Sequence, residues 1–159
     1  MTGLGTILQR IHAMVTRAMV RRVRDTTLLQ ELQLEVRRGQ LVDGAEVFGR
    51  YGFTSVPHVG AEAIAVALGG NRAHTIVLAV ENRQHRMKGL AEGETAVYDD
   101  QGQAVHLKRG NIVQVVTSGT IELKAGGNTI TVDAAGGITL DCPGQPFVVN
   151  AGSVDFNTA

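Results

Sequence analysis

The feature that most constrains the fold is a repeat of apolar residue pairs along the last third of the sequence. The pairs begin at residues 112, 121, 130, 138, 147 and 154, seven to nine residues apart. The stretches between them are rich in turn formers, as at residues 126–128 and 135–137. Short apolar runs at a nearly fixed spacing predict a ladder of short β-strands, each with one apolar face.

A ladder of this kind has no interior in a single chain. One copy would leave a narrow sheet with open edges and an apolar face in water. Three copies wound about a common axis turn each apolar face inward and pair every strand edge. We therefore predict that residues 101–159 form a triple-stranded β-helix in a homotrimer, whose core consists of Ile112, Val115, Ile121, Leu123, Ile130, Val132, Ile138, Leu140, Phe147, Val149, Val154 and Phe156.

Residues 25–100 are predicted to form a small β-barrel. Apolar residues alternate at Leu32, Leu34 and Val36 and recur in residues 63–68 and 75–80, with glycine-bearing turns between the segments. A five-stranded barrel of the oligonucleotide/oligosaccharide-binding (OB) type fits this length. Periodicity alone does not separate the OB barrel from other small barrels.

Residues 1–24 are predicted to form an amphipathic helix. Apolar residues recur at helical spacing and arginines occupy the remaining surface. The favoured interpretation is a helix that docks against its own trimer or a neighbouring protein; the alternative is a basic helix lying on an anionic membrane. The residues assigned to this docking are Leu4, Ile7, Leu8, Ile11, Val15, Arg17 and Arg21.

Composition and motifs argue against catalysis and metal binding. Cys142 is the only cysteine, so a disulfide within the chain and a cysteine cluster for zinc are both excluded. The serines lack a nucleophile-elbow motif. The five histidines never stand at ligand spacing, and His106 is the single residue that three-fold symmetry would let bind a metal on an axis. No apolar run approaches the roughly 20 residues of a membrane-spanning helix.

A second function class stays open at this point. Lysine plus arginine balances aspartate plus glutamate at 15 each, which gives no overall attraction to a polyanion. The basic cluster Arg83, His85, Arg86 and Lys88 on an OB barrel nevertheless suggests the alternative, a single-stranded nucleic-acid-binding protein with a β-repeat oligomerisation tail. The low aromatic content, two Tyr and four Phe, disfavours it.

Long ordered motifs in the sequence resemble one family. YGFTSVP at residues 51–57, GAEA at 60–63, GGNR at 69–72, GETAVY at 93–98 and LKRG at 107–110 are similar to the baseplate assembly protein V, or central membrane-piercing tail spike, family of Mu-like phages. The residues that carry the resemblance include Tyr51, Gly52, Phe53, Pro57, Gly60, Glu62, Gly69, Gly70, Gly93, Glu94 and Tyr98.

The resemblance implies the central spike of a contractile tail baseplate, in the virion, assembled in the host cytoplasm, and no enzyme. It implies a homotrimer that caps the tube and hub proteins and contacts the bacterial outer membrane transiently as its needle pierces it on contraction, without nucleic acid as a partner. Members of the family often end in a tip where a His-x-His motif from each of three chains binds one iron ion. No His-x-His occurs in this sequence, so no cofactor or metal is predicted, and a separate tip protein is an open expectation.

Overall fold

The structure is a computed structural model that describes residues 14–150 and 153–154. The chain divides into two compact units, Met1–Arg86 and Met87–Ala159. The described residues form eleven β-strands and one short 3₁₀ turn, Leu68–Gly70, and contain no α-helix. The predicted mainly-β class is therefore confirmed. The triple-stranded β-helix, which needs three chains, stays a prediction.

The first unit is a closed five-stranded barrel. Its strands are β1 (Val15–Arg24), β2 (Glu31–Arg37), β3 (Gln40–Val47), β4 (Glu62–Ala67) and β5 (Thr75–Glu81). They are hydrogen-bonded in the order β1-β2-β3-β5-β4, and β4 closes on β1. Every pairing is antiparallel except β3 with β5. This arrangement is consistent with an OB-like barrel.

The barrel interior is filled by alternating residues of its strands. Val20, Leu32, Leu34 and Val77 are the largest fully buried side chains. Small residues pack between them, namely Ala18 on β1, Ala45 on β3, Ala61 just before β4, and Ala63 and Ala65 on β4. A mixture of small and large inward residues is what a narrow barrel can accommodate. The period-two segments that the sequence predicted correspond to β2, β4 and β5.

The prediction of a helix over residues 1–24 is wrong for residues 15–24. This segment is β1, which pairs with β2 on one side and β4 on the other. Met14, Val15, Ala18 and Met19 fit a helical stripe, but Ala18 and Val20 also fit a strand face, and these two are the buried ones. Two neighbouring strands that satisfy the backbone outweigh a weak helical pattern. Residues 1–13 lie outside the described residues.

The second unit contains two three-stranded antiparallel sheets. The first consists of β6 (Thr95–Tyr98), β7 (Ala104–Lys108) and β8 (Ile112–Val116), with β7 in the centre. The second consists of β9 (Thr120–Ala125), β10 (Asn128–Asp133) and β11 (Gly137–Asp141), with β10 in the centre. Gly126 and Gly127 form the two-residue turn between β9 and β10, and Gly126 has φ +60°, as tight hairpins require.

Asp133 fixes the turn between β10 and β11. Its Oδ1 accepts hydrogen bonds from the backbone N–H groups of Ala135 at 2.9 Å and Gly136 at 2.8 Å. Its Oδ2 accepts one from Thr120 Oγ1 at 2.5 Å. These donors lower the pKa of Asp133, and the Thr120 hydroxyl has the largest effect. Beyond β11, residues 142–150 form no strand, so the strand predicted around Phe147 and Val149 is absent.

Candidate functional site: an exposed apolar assembly face

Six apolar residues share one face of the sheet β9–β11. Ile130 on the central strand pairs with Leu123 on one side and Leu140 on the other. Two residues along, Val132 pairs with Ile121 and Ile138. Because side chains alternate between the faces of a strand, these two rows lie on the same face. The sequence had assigned all six to the trimer core, and the structure brings them together in one sheet.

The opposite face of this sheet is polar. Thr131 pairs with Glu122 and Thr139, and Thr129 pairs with Lys124 and Asp141. The apolar face is nevertheless uncovered in one chain, with Ile130 40% exposed and Ile138 72% exposed. Only Ile121 among the six is half-buried. A sheet with one polar and one apolar face needs a second surface against its apolar side.

The first sheet of the second unit carries a similar apolar row. Val105 on the central strand pairs with Val97 and Val115, and Leu107 pairs with Val113. All five are exposed by 43–67%. The predicted core includes Val115 but not the other four. Val113 belongs to the apolar pair that begins at residue 112, and the alternation over residues 95–98 and 104–107 indicates Val97, Val105 and Leu107.

Two predicted core residues on β8 are not brought together. Ile112 and Val115 are three positions apart on one strand, so their side chains lie on opposite faces. Ile112 lies on the face that carries His106 and Gln114, whereas Val115 lies in the apolar row. Among the others, Phe147, Val149 and Val154 are 52–63% exposed and outside any strand. Phe156 lies outside the described residues.

The two units differ sharply in how much apolar surface they bury. Every buried apolar residue of the described chain belongs to the barrel, from Ala18 to Val77. In the described part of residues 87–159, the single buried residue is His106. An open recess of about 350 Å³ lies between the two sheets, and its lining includes Val97, Val105, Val115, Val116 and Ile121. The second unit therefore has strands without a dry interior.

A polar clamp at the start of the second unit surrounds Glu94. The Glu94 carboxylate accepts hydrogen bonds from the backbone N–H of Arg109 at 3.0 Å and of Ala91 at 3.0 Å. His106 Nε2 lies 3.1 Å from Glu94 Oε2. These contacts lower the pKa of Glu94. The Arg109 N–H has the largest effect, followed by the Ala91 N–H and His106. The clamp links the segment before β6 to β7 and to the turn before β8.

Val15, Arg17 and Arg21, assigned to hub docking, all lie on β1. Val15 is 60% exposed. Arg17 forms an ion pair with Glu62 at 3.5 Å, and Arg21 forms one with Glu35. Their docking role stays a prediction. Leu4, Ile7, Leu8 and Ile11 lie outside the described residues.

The described residues offer no obvious alternative kind of site. Among residues 14–150 and 153–154, no group of three His, Cys, Asp or Glu side chains comes close enough to hold a metal ion. In the same ranges, no helix is long and apolar enough to cross a membrane. Arg83, one of the basic residues of the nucleic-acid hypothesis, forms an ion pair with Glu62. This pairing raises the pKa of Arg83.

Comparison with known proteins decides the family. The model of "Bacteriophage Mu Gp45, N-terminal" matches residues 17–84, the barrel. "Mu-like prophage FluMu protein gp45" of Haemophilus influenzae is 34% identical over 158 residues, which cover 98% of this chain and 83% of that protein. The chain belongs to the Mu Gp45 family.

A second relative of the Mu Gp45 family is the "Baseplate puncturing device gp45" of Escherichia phage Mu. It is 31% identical over 130 residues, which cover 82% of this chain and 65% of that protein. The chain thus matches just under two thirds of the phage Mu protein's length. As a Mu Gp45 family member, the chain is a structural protein of the virion tail baseplate and not an enzyme, as the sequence predicted.

The motif residues of the Mu Gp45 resemblance have local structural reasons. Gly52, Gly60, Gly69, Gly70 and Gly93 all adopt positive φ, between +60° and +92°, where side chains other than glycine are strained. Glu62 forms ion pairs with Arg83 and Arg17, and the Arg83 pairing lowers its pKa. Glu94 is the centre of the clamp. Tyr51, Phe53 and Tyr98 are exposed, and Pro57 is half-buried.

Proposed function

We propose that this chain is the central spike of a contractile phage tail, a homotrimer whose second unit becomes a triple-stranded β-helical needle. In this role the OB-like barrel seats the spike against the hub and tube proteins, and the needle perforates the host outer membrane when the tail contracts. No catalytic step is involved.

One observation carries the proposal: the second unit has regular strands and apolar rows but no buried apolar side chain among its described residues. Burying one large aliphatic side chain stabilises a protein by about 1.5–3 kcal/mol. The two apolar faces carry eleven such residues, which a lone chain leaves mostly in water. Association of three chains would convert this exposed surface into a core.

Two further features support the trimer. The central strands β7 and β10 are paired on both sides, but β6, β8, β9 and β11 each have an edge without a partner in their sheets. Free edges of this kind pair readily with other chains. The relative described as a puncturing device also matches through most of the second unit, since 82% of this chain is aligned to it.

The deciding experiment compares the sedimentation of the purified natural chain with that of an Ile130→Asp variant. We expect the natural chain to sediment at three times its 16.9 kDa mass. Ile130→Asp should sediment as a monomer, because three unpaired carboxylates would meet at a dry axis. The matched control is Thr139→Asp, which adds the same charge on the polar face of the same sheet and should remain trimeric.

The same experiment contains the results that would overturn the proposal. A natural chain that is a folded monomer at micromolar concentration would remove the need for sister copies. A trimeric Ile130→Asp variant would show that the apolar face of β9–β11 is not the trimer core. Loss of assembly in Thr139→Asp as well would show that any added charge disrupts the sheet, and would leave the face unassigned.

A further inference from the structure

One end of the barrel carries positive charge without any acid. At this end β1 begins, and two turns join β2 to β3 and β4 to β5. The backbone here comprises residues 14–16, 36–41 and 66–76, which contain three arginines and no aspartate or glutamate. The three are Arg37, Arg38 and Arg72, and His74 is the one other ionisable side chain of these segments. We call this end of the barrel the arginine end.

The three arginines lack carboxylate partners. All three are exposed, and none forms an ion pair with an acid in the part of the chain that the structure describes. Glu35, the acid closest in sequence to Arg37, is already occupied, since it accepts the Gly39 N–H at 2.8 Å and pairs with Arg21. At the other end of the barrel Arg24 does have a partner, Glu31, at 2.8 Å. The charge of the arginine end is therefore left uncompensated by this chain.

A small recess lies at the arginine end. Its volume is about 40 Å³, and its lining includes Arg37, Arg72, Thr16, Thr75 and Ala67. A space of this size holds about three water-sized groups, which is the number of heavy atoms in a carboxylate. Arginine guanidinium groups bind carboxylates through two parallel hydrogen bonds. The recess therefore suits one carboxylate held by two arginines.

The backbone that carries these arginines is fixed by hydrogen bonds. Thr75 Oγ1 donates to the Arg72 carbonyl at 2.8 Å, and the Leu68 N–H donates to the His74 carbonyl at 2.9 Å. The turn after Arg37 is tied down by the bond from the Gly39 N–H to Glu35. A ligand would therefore have to order side chains but not loops, which lowers the entropic cost of binding.

We propose that the arginine end is a contact surface for an acidic protein, and that the recess receives one Asp, Glu or C-terminal carboxylate of that protein between Arg37 and Arg72. The inference rests on the proposed function, in which the hub is the partner that the barrel meets. Val15, Leu41 and Leu68 lie at the same end and are 48–60% exposed. Arginine beside apolar side chains is typical of protein interfaces.

Two other anionic partners fit this end less well. Proteins that bind single-stranded nucleic acid stack its bases on aromatic side chains, and residues 14–16, 36–41 and 66–76 contain no Phe, Tyr or Trp. Clusters that bind anionic lipids contain roughly four to eight basic residues, against three arginines here. A recess that holds one small anion adds a preference for a single carboxylate over a broad anionic surface.

Binding of a short fluorescein-labelled polyglutamate peptide to the full chain, followed by fluorescence anisotropy, tests the proposal. The double variant Arg37→Gln, Arg72→Gln should bind at least about tenfold more weakly, because hydrogen bonds to charged groups are the stronger ones. The matched control is Arg22→Gln, Arg50→Gln. It removes two exposed arginines outside the arginine end that form no ion pair among the described residues, and it should bind like the natural chain.

A lysine variant separates the recess from charge alone. Arg37→Lys with Arg72→Lys keeps both charges but loses the planar forks that bind a carboxylate at two points, so it should bind several-fold more weakly. Natural affinity in this variant would overturn the recess, because general charge attraction would then explain the binding. Natural affinity in the Arg37→Gln, Arg72→Gln variant would overturn the whole inference.

Two comparison probes and one control measurement complete the test. Oligothymidylate of the same length and vesicles containing phosphatidylglycerol should bind more weakly than polyglutamate. Tighter binding of either one, lost in Arg37→Gln, Arg72→Gln, would overturn the inference and assign the arginine end to nucleic acid or to a membrane. Sedimentation of the same samples separates this result from the trimer. A monomeric natural chain that binds polyglutamate would refute the proposed spike and support the recess, and a trimer that does not bind it would do the reverse.

Discussion

Glu94 Oε2 and His106 Nε2 lie 3.1 Å apart, and both side chains are about nine-tenths covered. They are the most enclosed polar pair in the described part of the second unit, which buries no apolar side chain there. The same carboxylate accepts the backbone N–H groups of Arg109 and Ala91. In one chain, the start of the second unit is therefore organised by a carboxylate rather than by an apolar core.

Glu94→Gln should make this region less stable and less sensitive to acid. The native surroundings lower the pKa of Glu94, so its stabilisation is fully present above its ordinary unfolded pKa of about 4.3 and is lost as pH falls through the lower folded pKa. We expect a lower thermal midpoint at pH 7 and a flatter decline towards pH 3, followed by circular dichroism. The control is Glu92→Gln, two residues away. Parallel curves for Glu94→Gln and the natural chain would contradict the clamp.

Gly93→Ala should destabilise more than a comparable glycine substitution. Gly93 has φ +79°, and an added Cβ would meet the Arg109 guanidinium, whose Nε donates to the Glu92 carbonyl at 2.7 Å. Gly102→Ala is the matched control, with φ +84° and open space around its Cβ. Positive φ alone costs about 1–2 kcal/mol for a residue with a Cβ. Chemical denaturation should show a larger loss for Gly93→Ala.

Replacing Arg109 tests the cause of that difference. In an Arg109→Ala background the side chain that obstructs a Cβ at position 93 is gone. The extra cost of Gly93→Ala over Gly102→Ala should then largely disappear, because only backbone strain remains. An unchanged difference in the double variant would place the cost elsewhere.

The barrel was well predicted because its signal is local. Leu32 and Leu34 alternate with polar residues, and both are fully buried on β2. The segments of β4 and β5 are short, nearly continuous apolar runs bounded by turn residues, which also predict strands. The rows of the second sheet were predictable for a similar reason: Ile130 and Val132 repeat at the spacing of their partners on β9 and β11. Each of these patterns is complete within a few residues.

Other features depend on contacts that sequence spacing does not contain. β1 is a strand because β2 and β4 pair with it, although its apolar residues also fit a helix. The clamp joins Glu94 to His106 and Arg109, which are 12 and 15 positions further along the chain. No local sequence motif therefore predicts it. Phe147 and Val149 continue the apolar repeat, but Pro143 and Pro146 interrupt the strand pattern, since proline removes a donor from the sheet.

Leu34→Ala should lower the stability of the barrel without dissociating the proposed trimer. Leu34 is fully buried, and truncating such a residue costs about 2–5 kcal/mol. Calorimetry should show a barrel transition at lower temperature, while sedimentation should still give the mass of the proposed trimer, because the apolar rows proposed as its core are untouched. Leu41→Ala, at a 54% exposed position, should change stability by less than about 0.5 kcal/mol. Equal effects of the two substitutions would contradict the barrel core.

Val105→Asp tests whether the first sheet of the second unit joins the same assembly. Val105 lies between Val97 and Val115 in an apolar row from which the predicted core contains only Val115. If this row faces sister chains, three carboxylates would enter a dry interface and the trimer should fail to form in sedimentation. Val105→Thr is the control, because it keeps the shape and β-propensity of valine without a charge, and it should assemble with reduced thermal stability. A trimeric Val105→Asp variant would restrict the needle core to the sheet β9–β11 and leave the row of Val97, Val105 and Val115 facing solvent.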